Sequence, residues 1–274
     1  MGPRALADTD TGYAQTITGS KMRGIVPEKL SRPWQALVTR LSVFPTSPWQ
    51  APSDLWQEVV GTPPEASQDQ PRQRVRAQTG PWRDGALQLL VSPVNVVWVA
   101  VPLPNREGLP NLANWNVENA VADFVDVTRP WLTSVNFGVM RLGFGLQALL
   151  PAEDKISAYK RLQGLVPSVK IEPETTTDLL YQINRPVLSR TLVGSIRLNR
   201  LMKWSAIFFG ITQVQTTPTS VRATPLGGSH YASLDIDVNT PADLSDPLEG
   251  GSLGAIFDEL VELAWRNLEA GEIA

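Results

Sequence analysis

"YQINRPVLSRTLVGSIRLNRLMKWS", Tyr181 to Ser205, decides how this chain is to be folded. Two Asn-Arg pairs, Asn184-Arg185 and Asn199-Arg200, interrupt apolar, strand-like sequence. Either they grip a phosphate or carboxylate, or each pair ends a strand. Pro186 follows the first pair and lacks the N–H that a ladder needs, so that pair closes a strand at an edge or turn. The second lies between "VGSIRL" and "LMKWSAIFF", where a hairpin turn would fall, and Asn tolerates the left-handed backbone of such turns. Both pairs therefore read as strand ends. Were the two ends to meet in space, Arg185 and Arg200 would form an anion clamp.

Outward from this stretch, strands are expected at 178–187, 193–199, 203–214 and 231–239, followed by a helix over 252–270. On that helix Leu253, Ile256, Phe257, Leu260, Leu263, Ala264 and Leu268 form one apolar stripe, and Gly271 stands where a terminating glycine belongs. Upstream, "ALQLLVS" and "NVVWVAVPL" read as strands around Pro93. Val117, Ala120, Val121, Phe124 and Val125 have helical spacing, with Asn114 or Asn116 as cap. "SVNFGVMRLGFGLQALL" reads as a long strand whose glycines mark bulges or bends. Asp154 opens a short helix, "KISAYKRLQGL", that stops before Pro167. Strands followed by a helix, twice over, imply an α+β fold. The expectation is two mainly antiparallel sheet-plus-helix units at 86–170 and 171–274, pseudo-duplicated in grammar but not in residues. An extended Pro/Trp-rich N-terminal segment, 1–85, precedes them. Within it, residues 1–30 are polar without period, 34–44 form a short apolar element, and 45 to about 80 read as a long loop.

Composition narrows the function. The 274 residues are 42% hydrophobic and 19% charged, enough for a sizeable core. The net charge of −3 supplies no global field for nucleic acid or anionic membrane. With no cysteine, disulfides, thiolate chemistry and cysteine-held metals are excluded. No segment reaches the roughly 20 apolar residues of a membrane span, since "NFGVMRLGFGLQALLP" is broken by Arg141 and Gln147. The N-terminus lacks the apolar region of a signal peptide. A cytoplasmic protein, or part of a phage or phage-like particle, is expected, with no cofactor and no membrane partner.

Several motif matches dissolve on inspection. "GGSLG", Gly250 to Gly254, fits a nucleophile elbow, but loop sequence precedes it and no histidine follows, so Ser252 reads as a helix cap. "DTG" at Asp10 to Gly12 has no second copy to share a proton with. His230, the only histidine, cannot build a histidine metal site and has no evident partner as a base. Asp235 and Asp237 in "LDID" would share one strand face roughly 6.7 Å apart, a spacing able to hold a divalent cation. Simple alternation with Leu234, Ile236 and Val238 explains them better, so they remain weak metal candidates.

Two features point to binding. Arg72, Arg74 and Arg76, with Arg83 and Trp82, form the one basic cluster. It suits nucleic-acid phosphates with a stacked base, or an exposed edge strand guarded by charge. Nine tryptophans is a high count. Trp34, Trp49, Trp56 and Trp82 fall in the Pro-rich N-terminal third, where rigid rings suit a docking arm.

"VMRLGFGLQALLPAEDKISAYKRL", then "DLLYQINRPVLS", "RLNRLMKWS" and "SLDIDVNT" before the last helix, resemble a sporadically distributed family of uncharacterised bacterial proteins of similar length. Its members carry an Arg-Leu-Gly strand, an Asn-Arg strand, a Leu-Asp-Ile-Asp strand and a C-terminal helix. Gly145-Leu146-Gln147 departs from the Arg-Tyr-Asn often found after that glycine. The resemblance implies a bacterial or phage origin and an α+β fold, and no chemistry.

The expectation is thus a non-enzymatic interaction or structural subunit of a larger bacterial or phage-derived assembly. It would bind a protein partner, or itself, through residues 1–85, with Trp34, Trp49, Trp56 and Trp82 as anchors. The alternative is a nucleic-acid- or nucleotide-binding accessory protein using Arg72, Arg74, Arg76, Arg185 and Arg200. A weaker one is a metal-dependent phosphoryl hydrolase built on Asp235, Asp237 and His230.

Overall fold

A computed structural model describes residues 30–217 and 220–272, with backbone alone for 212–217 and 221–226. In chain order the elements are β1 (Gln35–Pro45), α1 (Leu55–Val60), β2 (Ala66–Gln70), β3 (Val75–Trp82), β4 (Gly85–Ser92), β5 (Asn95–Pro102) and α2 (Val117–Ser134). Then come β6 (Val139–Ala152), α3 (Lys155–Leu165), β7 (Leu180–Asn184), β8 (Val187–Leu188), β9 (Arg197–Thr217), β10 (Ser220–Asn239) and α4 (Leu253–Ala270). A mixed α+β fold, mostly sheet, results. All the strands share one antiparallel sheet in the order β2-β3-β4-β5-β1-β6-β10-β9-β7, with β8 also on β9.

The sheet forms because its strands alternate. Leu87, Leu89 and Val91 on β4, Val96, Trp98 and Ala100 on β5, and Leu41 and Val43 on β1 are buried. Leu142, Phe144, Leu146 and Ala148 on β6, Leu234, Ile236 and Val238 on β10, and Met202 and Trp204 on β9 continue the same layer. The helices cover that layer: α2 lies against β1 and β5, α4 against β6 and β10, and α3 against β6, β9 and β10. Asn116 caps α2, its Oδ1 accepting from Asn119 N at 2.8 Å, and Asp154 caps α3 through Ser157 N at 2.7 Å. Arg129 and Asp258 bolt α2 to α4 with two parallel 2.8 Å bonds. Among the described residues no helix is long and apolar enough to cross a membrane.

Several expectations are corrected here. The long loop over 45 to about 80 contains α1, β2 and the start of β3. It hid because β2 is exposed along its whole length and so shows no alternation. The expected strands 193–199 and 203–214 are one strand, β9, and Asn199-Arg200 lies inside it rather than in a turn. Residues 34–44, placed in the extended N-terminal segment, are a central strand between β5 and β6. The glycines of β6 are not bulges: Gly143 and Gly145 keep regular register with both neighbouring strands. Asn184-Arg185 does close the edge strand β7 ahead of Pro186.

Candidate functional site on the open face of the sheet

Alternation sends every second side chain of the sheet away from the helices. At the centre of that open face β6 contributes Arg141 and Gly143, β1 Arg40, Ser42 and Phe44, β5 Asn95 and Val97, and β10 Asp237 and Asn239. These nine residues line a basin of about 330 Å3. Its floor is low because glycine lies there. A Cβ on Gly145 would come within 2.9 Å of the Arg40 guanidinium, and one on Gly143 within 3.3 Å of Asn239 Cβ. Arg40 therefore lies flat across β6 and reaches Asp237 on β10 at 3.0 Å.

A ladder of amides runs into the same carboxylate. Asn184 Nδ2 donates to Asn199 Oδ1 at 3.1 Å, Asn199 Nδ2 to Asn239 Oδ1 at 3.1 Å, and Asn239 Nδ2 to Asp237 Oδ1 at 2.6 Å. Arg141 also donates to Asn239 Oδ1, at 2.9 Å, and its guanidinium stands 5.4 Å from the Phe44 ring. Arg141 Nε is buried without a hydrogen-bond partner among the described residues, and no carboxylate there lies within ion-pair distance of Arg141. A planar anionic group entering the basin would find this donor set ready.

The ladder explains the Asn-Arg pairs. Neighbouring residues on a strand face opposite ways, so each pair serves both sides of the sheet at once. The asparagines point to the open face. The arginines point to the helix side, where Arg200 Nε donates to the Arg185 carbonyl at 2.8 Å and its Nη1 to Asn267 Oδ1 at 3.4 Å. Burial lowers the pKa of Arg200, and the neighbouring Arg185 lowers it further. Arg185 is paired to Glu272 at 3.0 Å. Glu272 also accepts from the Tyr181 hydroxyl at 2.9 Å and the Ser168 hydroxyl at 2.5 Å. Arg185 and Arg200 do come together, but inside a network that ties down the end of α4 rather than as a clamp open to solvent.

The other expected site residues are scattered. Trp34, Trp56 and Trp82 are buried in the core, at 1%, 1% and 8% exposure, rather than displayed on an extended segment. Trp56 lies tilted against Trp98 at 5.8 Å and Trp82 meets Trp115 edge-on at 6.3 Å. Trp49 is partly buried against Phe137 at 4.3 Å. Of the expected N-terminal segment, residues 30–85 belong to the folded body, while residues 1–29 lie outside the described residues. Arg72 and Arg74 sit in the β2–β3 turn, Arg74 at φ +54°, not on one strand face with Arg76. Arg76, on β3, is neutralised by Asp69 at 3.0 Å and donates to the Pro52 carbonyl.

Asp235 and Asp237 do share the open face, yet each already holds a cation, Lys203 at 3.4 Å and Arg40 at 3.0 Å. Among the described residues no three acidic or histidine groups cluster as a metal site. His230 lies within β10, tilted against Phe208 at 4.7 Å. "DTG" falls outside the described residues, and Ser252 precedes α4 without a side-chain capping bond. A larger groove of about 660 Å3 lies between α1, α2 and the β3–β4 turn, lined by Glu58, Asp123, Asp126 and Arg83, with Arg83 3.8 Å from Asp123. Burial, then Asp123, raises the Asp126 carboxyl there, against the pull of Arg83.

Sequence reasoning missed Arg40, Arg141, Asn95 and Asn239. Four separate strands supply the basin, and no spacing within one strand reveals its neighbours. The one signal was in β1, where Arg40 and Ser42 alternate with Leu41 and Val43. No known protein family, curated protein or solved structure matches the chain.

Proposed function

We propose that this protein is a non-enzymatic interaction subunit of a larger bacterial or phage-derived assembly, and that it docks through the open face of its sheet rather than through an N-terminal arm. The observation that carries this reading is the basin on the sheet face that no described helix covers, with Arg141 offering donors that no carboxylate among the described residues takes up. Around it, Val97, Val99 and Val101 on β5 and the 41%-exposed Leu90 on β4 give an apolar wing. An apolar surround with one charged anchor suits a protein partner that inserts an acidic side chain. The bacterial or phage setting rests on the motif resemblance in the second half of the chain.

The finer architecture belongs to the same proposal. Each half opens with a strand, β1 or β6, and closes with a helix, α2 or α4. In each, the opening strand pairs with that half's last strand, β5 or β10. A pseudo-duplicated chain would place its two opening strands side by side and the basin across their junction.

Co-purification from the native host tests this. A protein captured by wild type and by Arg72→Ala, but lost with both Arg141→Glu and Val99→Asp, is the expected result. Retention of that protein by both face variants would sink the proposal. Retention of the wild type on an oligonucleotide column, lost steeply with salt, would favour the nucleic-acid alternative instead.

A further inference from the structure

β9 and β10 are far longer than the sheet that holds them. They pair with each other from Asn199↔Asn239 out to Thr217↔Ser220. The neighbour β7 accompanies β9 only over Leu201–Ser205, and β6 accompanies β10 only from His230 to Asn239. Phe209–Thr217 and Ser220–Ser229 therefore project as a two-stranded ribbon, about 30 Å long at roughly 3.4 Å per residue, while the outer edge of β9 has no described neighbour from Ala206 onward. Isolated two-stranded ribbons are marginal in water, and three or more strands are needed for independent stability.

The two edges of this ribbon differ. On β10 the free stretch carries Arg222, Pro225 and the pair Gly227-Gly228, with a register shift between Pro225 and Gly227. Charge, proline and bulge are the devices by which an edge is kept from pairing. On β9 the free stretch "AIFFGITQVQTT", Ala206 to Thr217, has no charge and no proline. Its aromatic residues brace the ribbon on both faces. Phe208 lies over Gly210 and Gly228, where a Cβ would come within 2.4 Å of its ring, and it remains 45% exposed. Phe209 meets Tyr231 edge-on at 5.7 Å. One edge is guarded, and the other is left open among the described residues.

We propose that the free edge of β9, Ala206–Thr217, pairs antiparallel with the same edge of a second copy of this chain, joining two ribbons into a four-stranded sheet across a two-fold axis. An antiparallel edge is complementary to itself, which closes the assembly at two copies. The absence of charge means that no like charges meet across the axis, and equally that no charge selects an unlike partner. Two such ribbons side by side cover on the order of 1,000 Å2 in total, at the lower limit of specific interfaces. The guarded β10 edge stops further addition. This pairing is independent of what binds the open face, so either proposal can fail alone.

Native mass spectrometry of the full chain at tens of micromolar tests it, on wild type, Ile211→Lys, and a variant with residues 209–228 replaced by Asn-Gly. A wild-type dimer that becomes monomeric in both variants, each with unchanged circular dichroism of the body, is expected. If Ile211→Lys disturbs folding, the shortened ribbon decides alone. A monomeric wild type, a dimer that survives ribbon shortening, or a ladder of masses beyond the dimer would each overturn the proposal. The face variant Arg141→Glu remains dimeric if the two surfaces are separate.

Discussion

Glu259 is a carboxylate on α4 whose side chain is 3% exposed, a position that charge rarely tolerates without full satisfaction. Burial pushes its carboxyl up. The hydrogen bonds from Arg190 N at 2.7 Å, the Ser189 hydroxyl at 2.8 Å and Thr191 N at 3.2 Å outweigh that, leaving it below the ordinary glutamate value of 4.5. A carboxylate whose folded pKa is depressed adds stability that is present above about pH 4.5 and lost as pH falls through its folded value. Glu259→Gln is therefore expected to melt lower than wild type at pH 7 but to lose less on acidification between pH 5 and 3. Parallel Tm profiles for the two proteins over that range would show that Glu259 does not fasten the 189–191 loop through its charge. Asn239 has a similar place on the other face, where one side chain joins Arg141, Asn199 and Asp237.

Among the elements, the helices hang together through few directed contacts, of which Arg129–Asp258 between α2 and α4 is the clearest. Both partners are about a quarter exposed, so solvent screens the pair, and its two parallel bonds offset some of that loss. Truncating either residue to alanine is expected to cost about 1 kcal/mol, with the double variant costing little more than one single. Additive losses in urea unfolding would mean that the two side chains act separately. The same elements show what could be read in advance. α2, α3 and α4 were legible because a buried stripe at helical spacing and a capping Asn116 or Asp154 are local facts. β2 was not, since a strand exposed along its whole length has no period. Asn199-Arg200 misled because a polar pair resembles a turn, when alternation was sending one residue to each face. Of the basin only Asp237, through its alternation with Ile236 and Val238, was singled out in the sequence. Gly143 and Gly145 read as bulges because their purpose, room for Asn239 and for Arg40, depends on strands about one hundred residues away in sequence.

For the molecule as a whole, the central pair of strands joins sequence-distant halves: Gln35 faces Leu149 and Pro45 faces Val139. Every β1 and β6 backbone group in that seam lies far from a sheet edge, while β2 and β7 form the edges. Native-state hydrogen exchange is expected to be slowest for amides of β1, β6 and β5, faster in β2, and fastest along Ala206–Thr217 in a monomer. Slow exchange along that ribbon in the wild type, lost in the Ile211→Lys variant, would independently mark the paired edge. Uniform protection across all strands would contradict this ordering.

The central seam also sets a hazard during synthesis. β1 to β5 can pair among themselves as soon as Pro102 has emerged, but the side of β1 that β6 will occupy then stays bare. At about 5–20 residues/s, the roughly 50 further residues that complete β6 at Ala152 take several seconds to follow. For that interval the nascent chain displays β1, carrying Leu41 and Val43, with one edge unpaired. A ribosome that stalls between the two halves would therefore release a fragment prone to stick to its own kind, and the cell that makes this protein has reason to translate the α2 region without pause.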